Sequence, residues 1–234
     1  AVAGIGDVDG DGLDDLAIGA DREDTGGSNS GTVYVVLGSL SSDLSLADAD
    51  ARFSGTEVNQ NAGYSVSGAG DVNGDGHQDL LVGGPGQSTD YVQRGAVWII
   101  HGPMSGSHSL TEAAGQLQGM HAADRFGHSV SGAGDVDGDG LEDVWIGAPE
   151  IGANPSSPTG AALFFYGPVS GGLLADDADY GLWGDQTDDE AGQDVAGVGD
   201  VNGDSRPDLL VGISDSDHNG SVSGSAVLVL GGGL

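Results

Sequence analysis

Apolar residues along this chain come in short runs, four to eight residues long, each closed off by Gly, Asp, Asn, Pro or Ser. Runs of that length, rich in Val, Ile, Leu and aromatics and bounded by turn formers, predict β-strands. None reaches the roughly ten to twelve residues of 3.6-residue period that would argue a helix. The best helical window is 41–51, and its counterpart near 103–114 is full of Gly and Ser, so no helix is expected there.

The runs recur in a fixed order. An opening segment (1–6, 65–70, 129–134, 194–199) leads into an acidic nonapeptide. A second run follows (16–20, 80–85, 144–149, 209–213), then a loop and a longer apolar run (31–38, 95–102, 160–167, 224–231). A short segment ending in Gly completes the unit (52–55, 116–119, 182–184). The nonapeptides are spaced by 64, 64 and 65 residues. Four short strands repeated in this way predict an all-β chain of four-stranded antiparallel blades, the pattern of a β-propeller. A solenoid fits less well, because its repeats usually run to about 20–45 residues.

One propeller domain is expected over 1–234, with repeats of about 1–55, 63–119, 127–184 and 192–234. The fourth unit has no fourth strand, so the segment reads as part of a longer propeller. A four-bladed ring with one incomplete blade is the alternative.

The nonapeptides carry the clearest chemistry. Oxygen ligands at positions 1, 3 and 5 of a sharply turning loop, a backbone carbonyl at 7 and a carboxylate at 9 converge on one hard cation. Six to eight oxygens at about 2.3–2.6 Å suit Ca²⁺. The first loop offers Asp7, Asp9, Asp11, the carbonyl of Leu13, and Asp15; the second, Asp71, Asn73, Asp75, the carbonyl of His77, and Asp79. The third offers Asp135, Asp137, Asp139, the carbonyl of Leu141, and Asp143; the fourth, Asp200, Asn202, Asp204, the carbonyl of Arg206, and Asp208.

Gly12, Gly76 and Gly140 permit the turn at position 6, where the fourth loop has Ser205. Up to four Ca²⁺ sites are expected, the fourth weakest. EF-hands are excluded, because position 12 is Ile18, Val82, Ile146 or Val211 instead of a bidentate Glu. Tight hairpin turns alone would explain one such string. They do not explain fourteen carboxylates at positions 1, 3, 5 and 9 of four copies.

Composition narrows the function classes. The chain holds 37 Asp and Glu against five Arg and no Lys, a formal charge of -32. Nucleic-acid binding needs basic residues to release counterions, so it is disfavoured. Anionic membranes are disfavoured for the same reason. No apolar run is long enough to span a bilayer, so no membrane insertion by this segment is expected. Salt adaptation is an alternative partial cause of the acidity, since Lys is absent and Asp abundant. With no Cys, thiolate metal sites and cysteine nucleophiles are absent.

The units resemble the FG-GAP repeats of the integrin α-subunit β-propeller and its bacterial relatives. The naming dipeptide survives at Phe126-Gly127 and becomes Ala62-Gly63 and Ala191-Gly192 elsewhere. A Gly-Ala-Pro element stands at Gly147-Ala148-Pro149, varied to Gly83-Gly84-Pro85, Gly19-Ala20-Asp21 and Gly212-Ile213-Ser214. The resemblance implies a seven-bladed propeller with structural Ca²⁺ in the hairpin between the first two strands of a blade. It also implies ligand recognition on the opposite face.

That face would be built by loops near 20–31, 85–95, 149–160 and 213–224, and by those near 56–62, 120–126 and 185–191. A protein or polysaccharide ligand is expected there, with Tyr91, Arg94 and Asp188 as candidate contacts. An extracellular or cell-surface setting follows, since millimolar calcium would be needed to fill the loops.

Catalytic constellations are lacking. No histidine pair has metal-ligand spacing, and no Gly-x-Ser-x-Gly elbow occurs. Asp188, Asp189 and Glu190 could serve a glycosidase but read more simply as a solvated loop. His77 is expected to turn its ring to solvent. Trp98 and Trp145 are expected to pack between blades, with Trp183 on an outer strand. Asn219-Gly220-Ser221 fits a glycosylation acceptor. The expected function is a non-catalytic, calcium-binding adhesion or protein-recognition propeller. The alternatives are a carbohydrate-binding propeller and the propeller of a secreted hydrolase or lyase.

Overall fold

The computed structural model describes residues 1–38, 45–86, 94–152, 157–217 and 223–234. Its strands form four successive sheets. The first holds β1 (Val2–Gly6), β2 (Asp15–Ala20), β3 (Thr32–Val36) and β4 (Ala51–Ser54). The second holds β5 (Ser65–Gly70), β6 (Asp79–Gly84), β7 (Ala96–Ile100) and β9 (Gly115–Gln118), with β8 (Gly106–Ser109) between the last two in sequence. The third is β10 (Ser129–Gly134), β11 (Asp143–Ala148), β12 (Ala161–Phe165) and β14 (Tyr180–Trp183), with β13 (Gly171–Leu174) preceding β14. The fourth is β15 (Ala191–Gly199), β16 (Asp208–Ile213) and β17 (Ser225–Val229). Neighbours within each meander are antiparallel, as in propeller blades, and the blades form an open arc and not a closed ring.

The window at 41–51 forms no α-helix among its described residues. A single 3-10 turn, Leu46–Asp48, occupies it, capped by the Ser45 hydroxyl. Equivalent turns at Leu110–Glu112 and Ala175–Asp177 precede β9 and β14.

Two blades carry a strand that the alternation of the sequence did not reveal. β8 leaves its own blade and pairs in parallel with β4, matching Ala51 to Gly106 and Ser54 to Ser109. β13 does the same to β9, matching Gly115 to Gly171 and Gln118 to Leu174. A short polar strand such as GSHS has no alternation to read, and its partner strand lies in a different repeat.

Packing follows the pleat, which sends successive side chains to opposite faces. Leu80 and Val82 pack toward the first blade with Val33, Val35 and Phe53. Leu81, Val97 and Ile99 pack toward the third blade with Val144, Ile146 and Leu163. Trp145 and Phe164 meet Leu209 and Val211 of the fourth, with their rings 5.1 Å apart. Trp98 and Trp145 are thus buried between blades, whereas Trp183 is 48% exposed. Leu16, equivalent to the fully buried Leu80, is 44% exposed, and Leu210, equivalent to Leu81, is 40% exposed. The first and fourth blades each leave one apolar face uncovered.

Candidate metal loops and recognition face

Every nonapeptide forms the hairpin joining the first two strands of its blade, and position 9 is the first residue of the second strand. The four loops share one hydrogen-bonding scheme. At position 1 the Asp7 carboxylate accepts the N–H groups of Gly10, Asp11 and Gly12 at 2.7, 3.1 and 2.9 Å. Asp71, Asp135 and Asp200 accept the equivalent three. At position 5, Asp11, Asp75, Asp139 and Asp204 accept the N–H of Leu13, His77, Leu141 and Arg206. Turning the chain this tightly puts position 6 in the left-handed region, with φ of 91° at Gly12 and Gly76 and 92° at Gly140. Ser205 adopts it too, at φ 70°, and its N–H still reaches Asp200 at 2.8 Å. The fourth loop keeps the shape at the conformational cost that a Cβ imposes there.

Position 9 anchors each loop from below. Asp15, Asp79, Asp143 and Asp208 are fully buried. Each accepts one N–H from loop position 2 and one from the second residue beyond the third strand. For Asp15 these are Val8 at 2.8 Å and Gly38 at 2.7 Å; for Asp143 they are Val136 and Gly167, both at 2.8 Å. Asp79 and Asp208 repeat the arrangement with Val72 and Gly102, and with Val201 and Gly231.

Electrostatics follow from this crowding. Burial pushes the Asp143 carboxyl up to about 6, and the carboxylates of Asp137 and Asp135 add to the rise. Asp79 is raised, chiefly by burial. Asp9 is raised by loss of solvent and then by its neighbours Asp11, Asp15 and Asp7. Asp7 and Asp200 are lowered, first by the N–H at position 6. In the first and third loops, oxygens of Asp7, Asp9 and Asp15, and of Asp135, Asp137 and Asp143, lie within 4.8 Å of one another. In the second and fourth, the Asn73 and Asn202 side-chain N–H groups donate to Asp75 and Asp204 at 3.0 and 2.9 Å. An all-oxygen donor set with raised acids is what a hard cation would relieve. These residues fit the ion expected from the sequence.

The side chain of His77 does not turn to solvent as expected. Its ring lies against Gly10 of the preceding loop, and Nδ1 is shielded from water. Successive blades lean together at this end, so a position-7 side chain meets the loop before it. Leu141 likewise covers Gly74, and Arg206 donates to the Val136 carbonyl at 3.2 Å.

At the opposite end of the blades lie the expected recognition loops. Tyr91, His218 and the sequon Asn219-Gly220-Ser221 fall outside the described residues. The inter-blade loops, dissimilar in sequence, share a backbone. Asn59, Ala123 and Asp188 have positive φ, as do Asn61, Arg125 and Glu190. One buried oxygen acceptor fastens each. Gln60 accepts the N–H of Thr56 at 2.7 Å and of Glu57 at 3.2 Å. Asp124 accepts those of Met120 and His121, and Asp189 that of Gln186.

Asp189 is therefore a loop fastener, 2% exposed, while Asp188 beside it is exposed. The solvated-loop reading of 188–190 is corrected for its middle residue, because the loop turns back over that carboxylate. Sequence inspection missed these fasteners because Gln and Asp look unrelated; their shared spacing of 64 and 65 residues was the available signal. Arg94 sits where its charge lowers the Asp124 carboxyl, against the larger upward effect of burial. A pocket of about 350 Å³ opens on this face, lined by Asp21, Arg22, Asn61, Tyr64, Arg125 and Glu150. Arg125 and Glu150 are ion-paired at 3.2 Å.

Among the described residues, no helix is long and apolar enough to cross a membrane. The FG-GAP repeat family model matches residues 1–36 and 62–100. Integrin alpha-PS2 of Drosophila melanogaster is 31% identical over 224 residues, covering 91% of this chain and 15% of its own length. Integrin alpha-V of Gallus gallus is 32% identical over 216 residues, covering 89% of this chain and 19% of its own. Phosphatidylinositol-glycan-specific phospholipase D of Bos taurus is 33% identical over 168 residues, covering 69% and 20%. The chain thus spans a fifth or less of these relatives. Repeats, blades and relatives agree that the chain belongs to the FG-GAP repeat family of integrin α-like β-propellers.

Proposed function

We propose that this chain is a calcium-stabilised recognition propeller that works outside the cytoplasm and performs no chemistry of its own. The observation that carries the reading is the fourfold recurrence of one loop, with a buried, doubly bonded Asp beneath three or four further oxygen donors. Asp7, Asp9, Asp11 and Asp15 and their equivalents would hold the ion, with the carbonyls of Leu13, His77, Leu141 and Arg206 as additional donors. The ion would supply charge neutralisation. The chain itself supplies the prearranged loop. Extracellular modules of this kind bind with Kd of about 10⁻⁴–10⁻³ M, an affinity suited to a setting where calcium is millimolar.

Ligand recognition belongs to the opposite face, whose loops vary on a repeated scaffold. Its pocket combines two guanidinium groups, two carboxylates, an amide and Tyr64, a mixture suited to a polar protein segment. The integrin relatives favour a protein ligand. The uncovered apolar faces at Leu16 and Leu210 are of the kind that receives further blades, in keeping with much longer relatives.

A second reading rests on the similarity to phosphatidylinositol-glycan-specific phospholipase D: the propeller would then accompany an enzyme as a non-catalytic part. A polysaccharide ligand is the remaining alternative. Thermal melts with excess Ca²⁺ and with chelator test the central claim. Separation by many degrees is expected, and coincident melts would overturn it. Binding of extracellular-matrix proteins and of a glycan array, compared between wild type and Arg125→Ala, separates the ligand classes.

A further inference from the structure

We propose that Asn73 and Asn202 are deamidation sites gated by the cation, an inference that rests on the calcium reading of these loops. Position 3 is followed by Gly in all four loops, but only the second and fourth place an amide there, as Asn73-Gly74 and Asn202-Gly203. In such a pair the backbone nitrogen of the glycine attacks the side-chain Cγ. A C–N bond forms, the Cγ–Nδ2 bond breaks, and ammonia leaves with the proton that the backbone nitrogen gives up. The product is a cyclic succinimide. Water then opens the ring at either carbonyl, giving an aspartyl or an isoaspartyl residue. Nothing is oxidised or reduced, and solvent water is the one co-reactant.

The fourth loop presents this pair openly, whereas in the second the Leu141 side chain lies over Gly74, 3.0 Å from where a Cβ would stand. Asn73 is partly exposed and Asn202 exposed, with both glycines exposed and in the left-handed region at φ 78° and 84°. A Cβ, had Gly203 carried one, would meet nothing within 4 Å, so the closing ring has room. Three hydrogen bonds hold the reacting atoms in the closed loop. The Gly74 N–H is donated to Asp71 at 2.7 Å, Asn73 Oδ1 accepts from the Asp75 N–H at 2.8 Å, and Asn73 Nδ2 donates to Asp75 at 3.0 Å. Asn202 repeats all three at 2.6, 2.7 and 2.9 Å. Attack on Cγ needs Gly74 N to leave Asp71 and the amide to rotate off Asp75. Both carboxylates are cation ligands in the proposed loop. With the ion in place they stay fixed; without it they repel, and the loop opens more often.

The product changes the site. An aspartyl residue at 73 or 202 recreates the four-carboxylate set of the first and third loops. An isoaspartyl residue adds a backbone methylene and moves the later ligands out of register. One pair of loops therefore drifts in affinity with age, while the other starts with the acid already present.

The test is incubation of the full chain at mildly alkaline pH with excess Ca²⁺ or with chelator. Peptide mapping for a gain of one mass unit follows, with ¹⁸O-water to mark ring opening, and calorimetry of Ca²⁺ binding runs in parallel. Conversion at Asn73 and Asn202 should be faster by about tenfold or more in chelator, as the open population governs the rate. An Asn73→Asp variant, mimicking the aspartyl product, should bind Ca²⁺ more tightly at the second loop than wild type. If calorimetry shows binding yet both rates match, the gating is wrong and the calcium reading stands. If no binding is seen and the rates match, both fall. If the amides persist in chelator while a synthetic 71–79 peptide converts fully, the proposal is overturned.

Discussion

Tyr64 lies against His128 of the next blade, their ring centroids 5.0 Å apart and the tyrosine hydroxyl 3.2 Å from Nε2. The other ring nitrogen, Nδ1, faces the Gln193 carbonyl at 3.2 Å, so the neutral ring donates there and accepts from Tyr64. The three residues occupy equivalent positions in successive blades and stitch three loops together.

This pairing sets one prediction. Burial lowers the His128 pKa, with the Arg125 charge in support. His108 is placed oppositely, with both ring nitrogens facing acceptors, Glu112 at 3.0 Å and the Ser105 carbonyl at 2.8 Å. Its pKa is raised, first by Glu112. NMR titration should therefore find the two on opposite sides of the ordinary value of about 6.5. The stability due to His108 should be present below that value and lost as pH rises through its folded pKa. For His128 the loss comes as pH falls, because the unfolded chain takes the proton first. Difference pH profiles of His108→Gln and His128→Gln should slope in opposite directions.

Calcium should control stability. A ligand that binds the folded chain alone adds about 2.7 kcal/mol per site at a hundredfold excess over Kd. Several sites together should shift the melt by many degrees, read by calorimetry with and without chelator.

Asp143 gives the cation-free protein a distinctive pH response. Its folded pKa of about 6 lies above the ordinary carboxylate value, so the folded state binds the extra proton between the two. In chelator, stability should fall as pH rises through that window. Asp143→Asn should flatten the slope, and added Ca²⁺ should abolish it.

The fourth loop should bind most weakly. Asn202 removes one charge and Ser205 holds a left-handed turn against its Cβ. Asp204→Ala should cost less calcium-dependent stability than Asp139→Ala, and titration calorimetry on both variants measures the order.

Asp124→Ala should loosen the loop near 120–126 without unfolding the blades. It strands the N–H groups of Met120 and His121, at about 1–3 kcal/mol. Hydrogen exchange should rise at those two amides while β10 and β11 stay protected.

Much of this is legible in the sequence. Asp15, Asp79, Asp143 and Asp208 stood out because a metal loop and a strand start both require them, and both signals are local. What escaped depended on neighbours in other repeats. The ring of His77 is placed by the Gly10 loop of another blade. The residues of β8 are polar and short, and only β4, half a repeat and more away, makes them a strand. Gln60 and Asp124 do one job with different side chains, so type alone concealed them.

The parallel pairing of β4 with β8 also has a consequence for synthesis. Ala51 finds its partner Gly106 only after a further 55 residues have emerged. Until then the outer edge of the first blade is an open row of backbone donors and acceptors, the kind of edge that recruits stray strands. The first two blades are secured backwards, each by a strand of the repeat translated after it. A pause in translation between the two strands would leave that edge unguarded.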